Sequence, residues 1–591
     1  MRSAARQSRG LLLTYLKPQT ARVAVLSALL LASIGLQLAN PQVLRAFLDT
    51  ATTGGASGLL ARAAGLFIGI AILQQACSIT AAYFSERVAW TATNALRADL
   101  ALHCLRLDLA FHKTKTPGEF IERIDGDVTA LANFFSQFVL QIVGSLLLLA
   151  GVLTALWLES WRAGLPLTVF AVVMLAVMAR LRSLATPYWK AARQASAELF
   201  GFLEERLGGA EDIRSSGAAA YVLRRLYERT RERLRTARLA RLFGAIGWCV
   251  PMVLWALGVG VAFIVTAYLY RRGTLSTGSA FLIYYYTQLL FQPLNVISYQ
   301  LDDFQKASAG LARIEELFGT HSALADGVDA LKARGALAVE FDRVAFGYGD
   351  DEMVVRDLTF RLPPGAVLGL LGRTGSGKTT IARLLFRLYD PAAGTIRLGG
   401  SDVRSLRRAE VRDHVGMVTQ DVQLFRASVR DNLTFFDEHV DDTRIIAALE
   451  DLGLGDWRRS LPDGLDTMLA ANGGGLSAGQ AQLLALTRVF LRDPGVVILD
   501  EASSRLDPVT ERLIERAIDK LLRGRTAIII AHRLRTIERA DEVMILEHGR
   551  IQEYGSRGSW PATPARALRT SSMPTQRNWR RRWHETSPHR R

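Results

Sequence analysis

Three cysteines in 591 residues, Cys77, Cys104 and Cys249, with no CxxC pair, offer nothing from which to build a disulfide framework or a thiolate zinc site. Two of them lie in or near apolar stretches, and all three are expected to be small core residues. Charge is missing from long runs of the first half: Val23–Leu44, Ala63–Ser85 and Val128–Leu158 contain no ionisable side chain other than cysteine and tyrosine. That argues against a proton relay or an ion-coupled carrier, which needs carboxylates or histidines within the apolar layer. No basic groove interleaved with aromatics is visible either, so no nucleic acid is expected as a partner. After a basic start at Arg2, Arg6 and Arg9, the first apolar stretch begins near Arg22 without a small-residue cleavage site. It is too long for a signal-peptide core and is expected to be a retained membrane helix.

Apolar length is what the first half does have. A bilayer-spanning helix needs about 20 largely apolar residues. Besides the three charge-free runs, Ala163–Ala179 (extending into Arg180 and Leu181), Leu242–Tyr270 and Thr274–Leu301 come close to or reach that length. One such run can be a buried helix of a soluble domain; six in one chain predict a six-helix membrane region. The connections after the first, third and fifth runs are short. Those after the second and fourth are long, and Glu86–Asp127 holds six Lys or Arg while Arg180–Arg241 holds fourteen. Basic loops stay in the cytoplasm, which places the N-terminus and everything after the sixth run there too.

The long loops repeat apolar residues at helical spacing (Leu203, Leu207, Leu223, Leu226, Leu234) and are expected to continue the membrane helices into the cytoplasm. Each has a break, Thr116-Pro117-Gly118 in the first and Ser215-Ser216-Gly217 in the second. Either break can close a plain helical hairpin or carry a short transverse helix that docks on the second half. Pro251 and Pro293 are expected to kink the fifth and sixth helices. Gln141, Asn295 and Gln300 either face a central cavity or hydrogen-bond between helices.

The second half reads differently. Strand-like and helical segments alternate, the pattern of a wound α/β domain. The buried strand Leu368-Gly369-Leu370-Leu371 runs into Gly372-Arg373-Thr374-Gly375-Ser376-Gly377-Lys378-Thr379 and then a helix, Thr380–Leu388. This is a complete GxxxxGKS/T phosphate loop in strand–loop–helix context. Its glycines let backbone N–H groups curl round phosphates at a helix N-terminus. Lys378 would reach the β- and γ-phosphates and Thr379 would ligate Mg²⁺. A second apolar strand, Val496-Val497-Ile498-Leu499, ends in Asp500-Glu501. It is expected to lie next to the phosphate-loop strand, with Asp500 holding Mg²⁺ and Glu501 polarising the attacking water.

Gly475-Leu476-Ser477-Ala478-Gly479-Gln480 resembles the LSGGQ signature of ABC ATPases. With the six-run first half, the chain resembles an ABC half-transporter of the exporter type from about Tyr15 to Gly555. The resemblance implies a multidomain protein: a six-helix α-helical transmembrane domain followed by an α/β P-loop NTPase domain of the ABC type. The boundaries expected are a cytoplasmic segment at 1–20, the membrane domain at 21–310, a linker at 311–335, the ATP-binding domain at 336–556 and a basic tail at 557–591.

It further implies roles by position. Gly372, Thr374, Gly375, Ser376, Gly377, Lys378, Thr379 and Thr380 cradle ATP, and Tyr348 stacks on adenine. Gln420 touches Mg²⁺ alongside Thr379 and Asp500 and senses the membrane domain. Ser477, Gly479 and Gln480 contact the nucleotide held by the opposite subunit, and Asp507 lies in the cross-dimer loop. Glu501 and His532 complete the catalytic set. Two ATPs at a dimer interface would drive alternating access for a drug-like, lipid or peptide compound in the cell membrane. An ATP-gated channel or an importer of the same architecture remains an alternative.

Three departures stand out. Ala478 occupies a position where Gly is usual, Ala481 one where a basic residue is common, and Ala470-Ala471 replaces a Gly-Glu pair. They weaken what this chain lends to its partner's site and favour a heterodimer over a homodimer. The tail, with nine Arg against one Glu, holds about half of the net charge of +16. It is either an arm for anionic lipid or an altered reading frame without function.

Overall fold

The computed structural model describes residues 14–299, 301–331, 333, 335–349, 353–500, 508–530 and 537–559. By their contacts they fall into two compact units. One holds residues up to Arg106 and Thr116–His321, and the other holds Leu107–Lys115 and the chain from Ser322 onward.

The first unit is helical. Its elements are α1 (Thr20–Thr52), α2 (Ser57–Arg106), α3 (Leu109–Thr114, grouped with the second unit), α4 (Pro117–Ile121) and α5 (Val128–Gln137). They continue with α6 (Gly144–Glu159), α7 (Trp161–Gly208), α8 (Ala210–Ser215), α9 (Ala219–Arg271), α10 (Thr277–Tyr299) and α11 (Leu301–Gly319). Among the described residues, five helices are long and apolar enough to cross a membrane. The sixth expected run, Thr274–Leu301, forms α10, and its difference has a physical reason. Tyr284, Tyr285, Gln288 and Asn295 lower its hydropathy, yet Leu282, Ile283, Leu290 and Leu294 are fully buried. It fills the middle of the bundle, whereas Ile72, Leu158 and Ile264 on the other helices expose more than half their surface. Helices apolar all round belong in lipid.

Small residues set the helix spacing. A Cβ at Gly258 would strike the Phe170 ring at 2.4 Å, and one at Gly151 would strike Leu38 at 2.5 Å. Close approach of this kind drives helix association where lipid tails compete with apolar side chains. Tyr286 is fully buried and joins α1 to α10: Gln42 Nε2 donates to its hydroxyl at 3.0 Å, and the hydroxyl donates to Leu38 O at 2.9 Å. Near the far end of α1, Arg45 pairs with Glu159 at 2.6 Å, and Asp49 accepts from Gly278 N at 2.8 Å. Asn295 Nδ2 donates to Phe291 O in its own helix, and Gln300 lies outside the described residues. Pro251 and Pro293 lie inside unbroken helices. Of the cysteines only Cys104 is buried; Cys77 is half-buried, and Cys249 is exposed in the apolar stretch of α9, which corrects the expectation of three core residues.

The breaks in the long loops resolve into short helices. α3 and α4 part at Lys115, with Thr116 capping α4 through Glu119 N. In the second loop α8 sits between Gly209 and Ser216, and Gly217 turns the chain at φ +66°.

The second unit holds two sheets. β1 (Val339–Gly347), β2 (Met353–Leu362), β4 (Ala393–Leu398) and β5 (Ser401–Asp402) form an antiparallel sheet in the order β2-β1-β4-β5. The larger sheet is built from β3 (Val367–Gly372), β6 (Val415–Val418), β7 (Val496–Asp500), β8 (Thr526–Ile530), β9 (Glu542–Glu547) and β10 (Arg550–Ser556). Their order is β10-β9-β3-β8-β7-β6, parallel except for β10 at the edge. β8 is buried along its whole length, and β3 and β7 at every position but the last, as parallel strands covered on both faces must be. β7 is not beside β3: β8 lies between them, so the expected adjacency of the two strands is corrected.

Asp127, at the start of the third membrane segment, is 2% exposed and accepts from Arg313 Nε of α11 at 2.9 Å. Arg313→Ala would leave that carboxylate, among the described residues, with Arg123 at 3.8 Å as its cation. We expect a loss of about 2 kcal/mol, that of a hydrogen bond to a charged group, because Asp127 is buried but the Arg313 side chain is 43% exposed. Thermal unfolding of the purified protein in detergent checks it, with Arg313→Lys expected to fall between the variant and the parent.

Candidate nucleotide site

The phosphate loop leaves β3 at Gly372, whose φ is +151°. A Cβ there would lie 2.4 Å from Leu546 O of the neighbouring strand, so only glycine lets the chain turn off the sheet. The following helix, α12 (Lys378–Leu385), is capped by Gly377 at φ +105°. No side chain caps it, which leaves its first N–H groups turned to the loop. Lys378 is 6% exposed, and its ammonium donates to Gly372 O at 2.7 Å and Arg373 O at 2.9 Å. The Ser376 hydroxyl is buried without a hydrogen-bond partner. Thr374 and Gly375 are exposed at the rim. A cradle with an unpartnered hydroxyl, a buried cation held by carbonyls and a helix N-terminus fits a polyphosphate.

Thr379 Oγ1 donates to Asp500 Oδ2 at 3.1 Å. The hydroxyl and the carboxylate are hard oxygen donors brought together from the first turn of α12 and the end of β7, the donor type that suits a magnesium ion. Tyr348 stands just past the end of β1, 42% exposed. Its hydroxyl lies 3.1 Å from Thr380 Oγ1 and accepts from Arg383 Nη1 at 3.0 Å. Phe346 and Tyr389 meet its ring edge-on, with centroids at 5.1 and 5.3 Å. Burial and the nearby Tyr348 push the Tyr389 phenol above its usual range, so that phenol is neutral at physiological pH. Arg383 was not singled out from the sequence; its spacing of three from Thr380 on α12 is the signal that could have found it.

Gln420 is exposed just beyond β6 and makes no hydrogen bond to Thr379 or Asp500 among the described residues. Its loop is tethered from α13 (Ala478–Arg492) by Arg488, which donates to Gln423 O at 2.8 Å and Asn432 O at 2.6 Å. Burial pulls the Arg488 pKa down to about 10, so it stays charged at neutral pH. Ser477 caps α13 in a capping box: Gln480 N donates to Ser477 Oγ at 3.2 Å and Ser477 N to Gln480 Oε1 at 2.9 Å. The Gln480 side chain is therefore engaged in the cap. A Cβ at Gly479 would lie 1.9 Å from Thr510 Cγ2, whereas the Ala478 methyl is exposed. Glu501, Asp507 and His532 lie outside the described residues.

Two family profiles match the chain. One describes the ABC transporter transmembrane region and covers residues 23–294; the other describes the ABC transporter and covers 355–504. The uncharacterized ABC transporter ATP-binding protein YknV of Bacillus subtilis (strain 168) is 30% identical over 562 residues, 92% of this chain and 91% of that protein. An ATP-dependent lipid A-core flippase of Ralstonia nicotianae is 30% identical over 560 residues, 92% of each. The solved structure of a bacterial Atm1-family ABC exporter with ATP bound superposes with a TM-score of 0.77 at 26% identity, over 96% of this chain and 99% of that one.

Lys378→Ala removes the only ammonium in the loop. We expect ATP affinity to fall about tenfold or more, as for the loss of a hydrogen bond to a charged group. Titration with a fluorescent ATP analogue measures it, and an unchanged affinity would remove Lys378 from the site.

Proposed function

The chain belongs to the ABC transporter family, with its membrane region and ATP-binding domain in one polypeptide, and on that premise we propose the following division of labour within it. It is a half-transporter of the exporter type in the cell membrane, acts as a dimer, and couples ATP hydrolysis to transport. The observation that carries the site reading is the Lys378 cradle with Thr379 and Asp500 converging beside it.

In this reading the amides of Gly375–Lys378 and the Lys378 ammonium hold the β- and γ-phosphates. Thr379, Asp500 and Gln420 would hold Mg²⁺, which would supply positive charge against the phosphate oxygens. Glu501 takes a proton from the attacking water, and His532 holds the γ-phosphate in line with it. Tyr348 carries the base. Ser477 and Gly479, presented by the capped end of α13, reach the nucleotide of the partner subunit across the dimer, with Asp507 linking the two sites. ATP favours the closed pair of domains, hydrolysis releases it, and the cytoplasmic helices carry the change to the bundle.

The substrate proposed is a lipid or a similarly amphipathic compound. The relatives named as lipid A-core flippases support this, at 30% identity over nearly the whole chain. Proteoliposomes with a fluorescent phospholipid test it, and movement that does not depend on ATP would sink it.

A non-equivalent partner is also proposed. The exposed Ala478 adds a methyl where the signature meets the other subunit's phosphate. Expressed alone, this chain should hydrolyse ATP slowly, and Ala478→Gly should raise the rate. A chain that by itself assembles into a fully active dimer, untouched by Ala478→Gly, would favour the homodimer instead.

Glu501→Gln keeps the shape of the side chain and removes the base. Hydrolysis by the purified protein should drop about 100-fold or more while ATP affinity holds. Undiminished turnover takes Glu501 out of the catalytic set.

A further inference from the structure

The first cytoplasmic loop delivers a side chain to Tyr348. α2 ends at Arg106, and the next nine residues, Leu107–Lys115, group with the ATP-binding unit although the helices on either side group with the bundle. Three features seat this segment. Leu107 is buried, and Leu109 packs against the core cluster that contains Phe341, Phe346 and Ile396. The Asp108 carboxylate caps α3 through Phe111 N at 2.9 Å and also accepts from Ala323 N at 2.8 Å. Burial opposes charge on that carboxylate, but the hydrogen bonds outweigh it and hold its pKa below the usual range, so the cap stays ionised at neutral pH.

The segment so seated places Lys113 Nζ over the Tyr348 ring, 4.6 Å from its centroid and 5.8 Å from that of Tyr389. Lys113 forms no ion pair among the described residues. An ammonium at this distance from an aromatic face is attracted by the ring quadrupole. Phe346 and Tyr389 pack near-perpendicular to the ring, Thr380 and Arg383 meet its hydroxyl, and the Arg383 guanidinium carbon lies 6.0 Å from its centroid. Tyr348 is nevertheless 42% exposed, which leaves its ring open to a ligand.

We infer that Lys113 is a positioning residue for nucleotide binding: it covers one face of Tyr348 and holds the ring so that the open face receives the base of ATP. This rests on the reading of Tyr348 as the base platform. The base then stacks on a ring already fixed in tilt by a cation behind it, and less freedom is lost on binding. Because Lys113 comes from the loop between the second and third membrane segments, base binding and seating of that loop favour one another by the same factor.

The test uses the full-length protein in nanodiscs and its basal ATPase activity. Lys113→Ala should raise the KM for ATP about two- to fivefold, the range set by an exposed cation–π contact, and leave kcat within about twofold. Competition by inorganic tripolyphosphate, which has phosphates and no base, should be unchanged. Lys113→Arg should restore the parent KM. An unchanged KM, a tighter one (the cation then occupies the base's own face), or an equal loss of tripolyphosphate binding overturns the inference. Tyr348→Ala separates the two readings. If it leaves the KM unchanged, the platform reading fails and takes the Lys113 role with it; if it raises the KM while Lys113→Ala does not, only the Lys113 role is lost.

Discussion

The hydrogen bond from Thr379 to Asp500 ties together the first turn of a helix and the end of a strand 121 positions later. It forms because β7 and β3 share one parallel sheet with a single strand, β8, between them. Parallel strands present their C-terminal ends along one rim, and in such sheets ligands gather at that rim. The phosphate loop opens there, Asp500 stands there, and the chain that continues into Glu501 leaves from there. Any change that slipped the register of β7 on β8 by one residue would turn Asp500 to the opposite face and separate it from the threonine.

The membrane unit answers to a different constraint. Lipid removes the usual distinction between inside and outside, so burial is decided by side-chain size and by polarity. Glycines meet Phe170 and Leu38 where helices touch, and large aliphatics face outward. The helix richest in tyrosine and amide side chains is the one most enclosed, because lipid offers those groups no hydrogen bonds. Tyr286 shows how they are satisfied, with one bond given and one received across α1. Two of its ion pairs lie near helix ends, where Arg45 meets Glu159 and Arg313 meets Asp127.

Between the two units the informative segment is short. Leu107–Lys115 belongs by sequence to a loop of the membrane region and by contact to the ATP-binding unit. Thr116, Pro117 and Gly118 mark in the sequence where the chain breaks, and the structure adds Asp108 as the cap of α3. What the cap's other bond reaches, and that Lys113 meets Tyr348, depends on a surface assembled from β1, β4 and the chain before them. No local pattern carries that information.

From the sequence by itself came the two halves, the membrane crossing, the phosphate loop and the signature. Each is written in a contiguous run: apolar length sets a span, and glycine spacing sets a phosphate cradle. The tertiary structure decided the rest. It put β8 between the two strands expected to be neighbours, enclosed α10 despite its modest hydropathy, left Cys249 exposed and set a lysine behind Tyr348. Those outcomes depend on which distant residues come within a few ångströms of one another, and strand order and helix packing settle that through space, while periodicity and motif spacing report only what lies nearby along the chain.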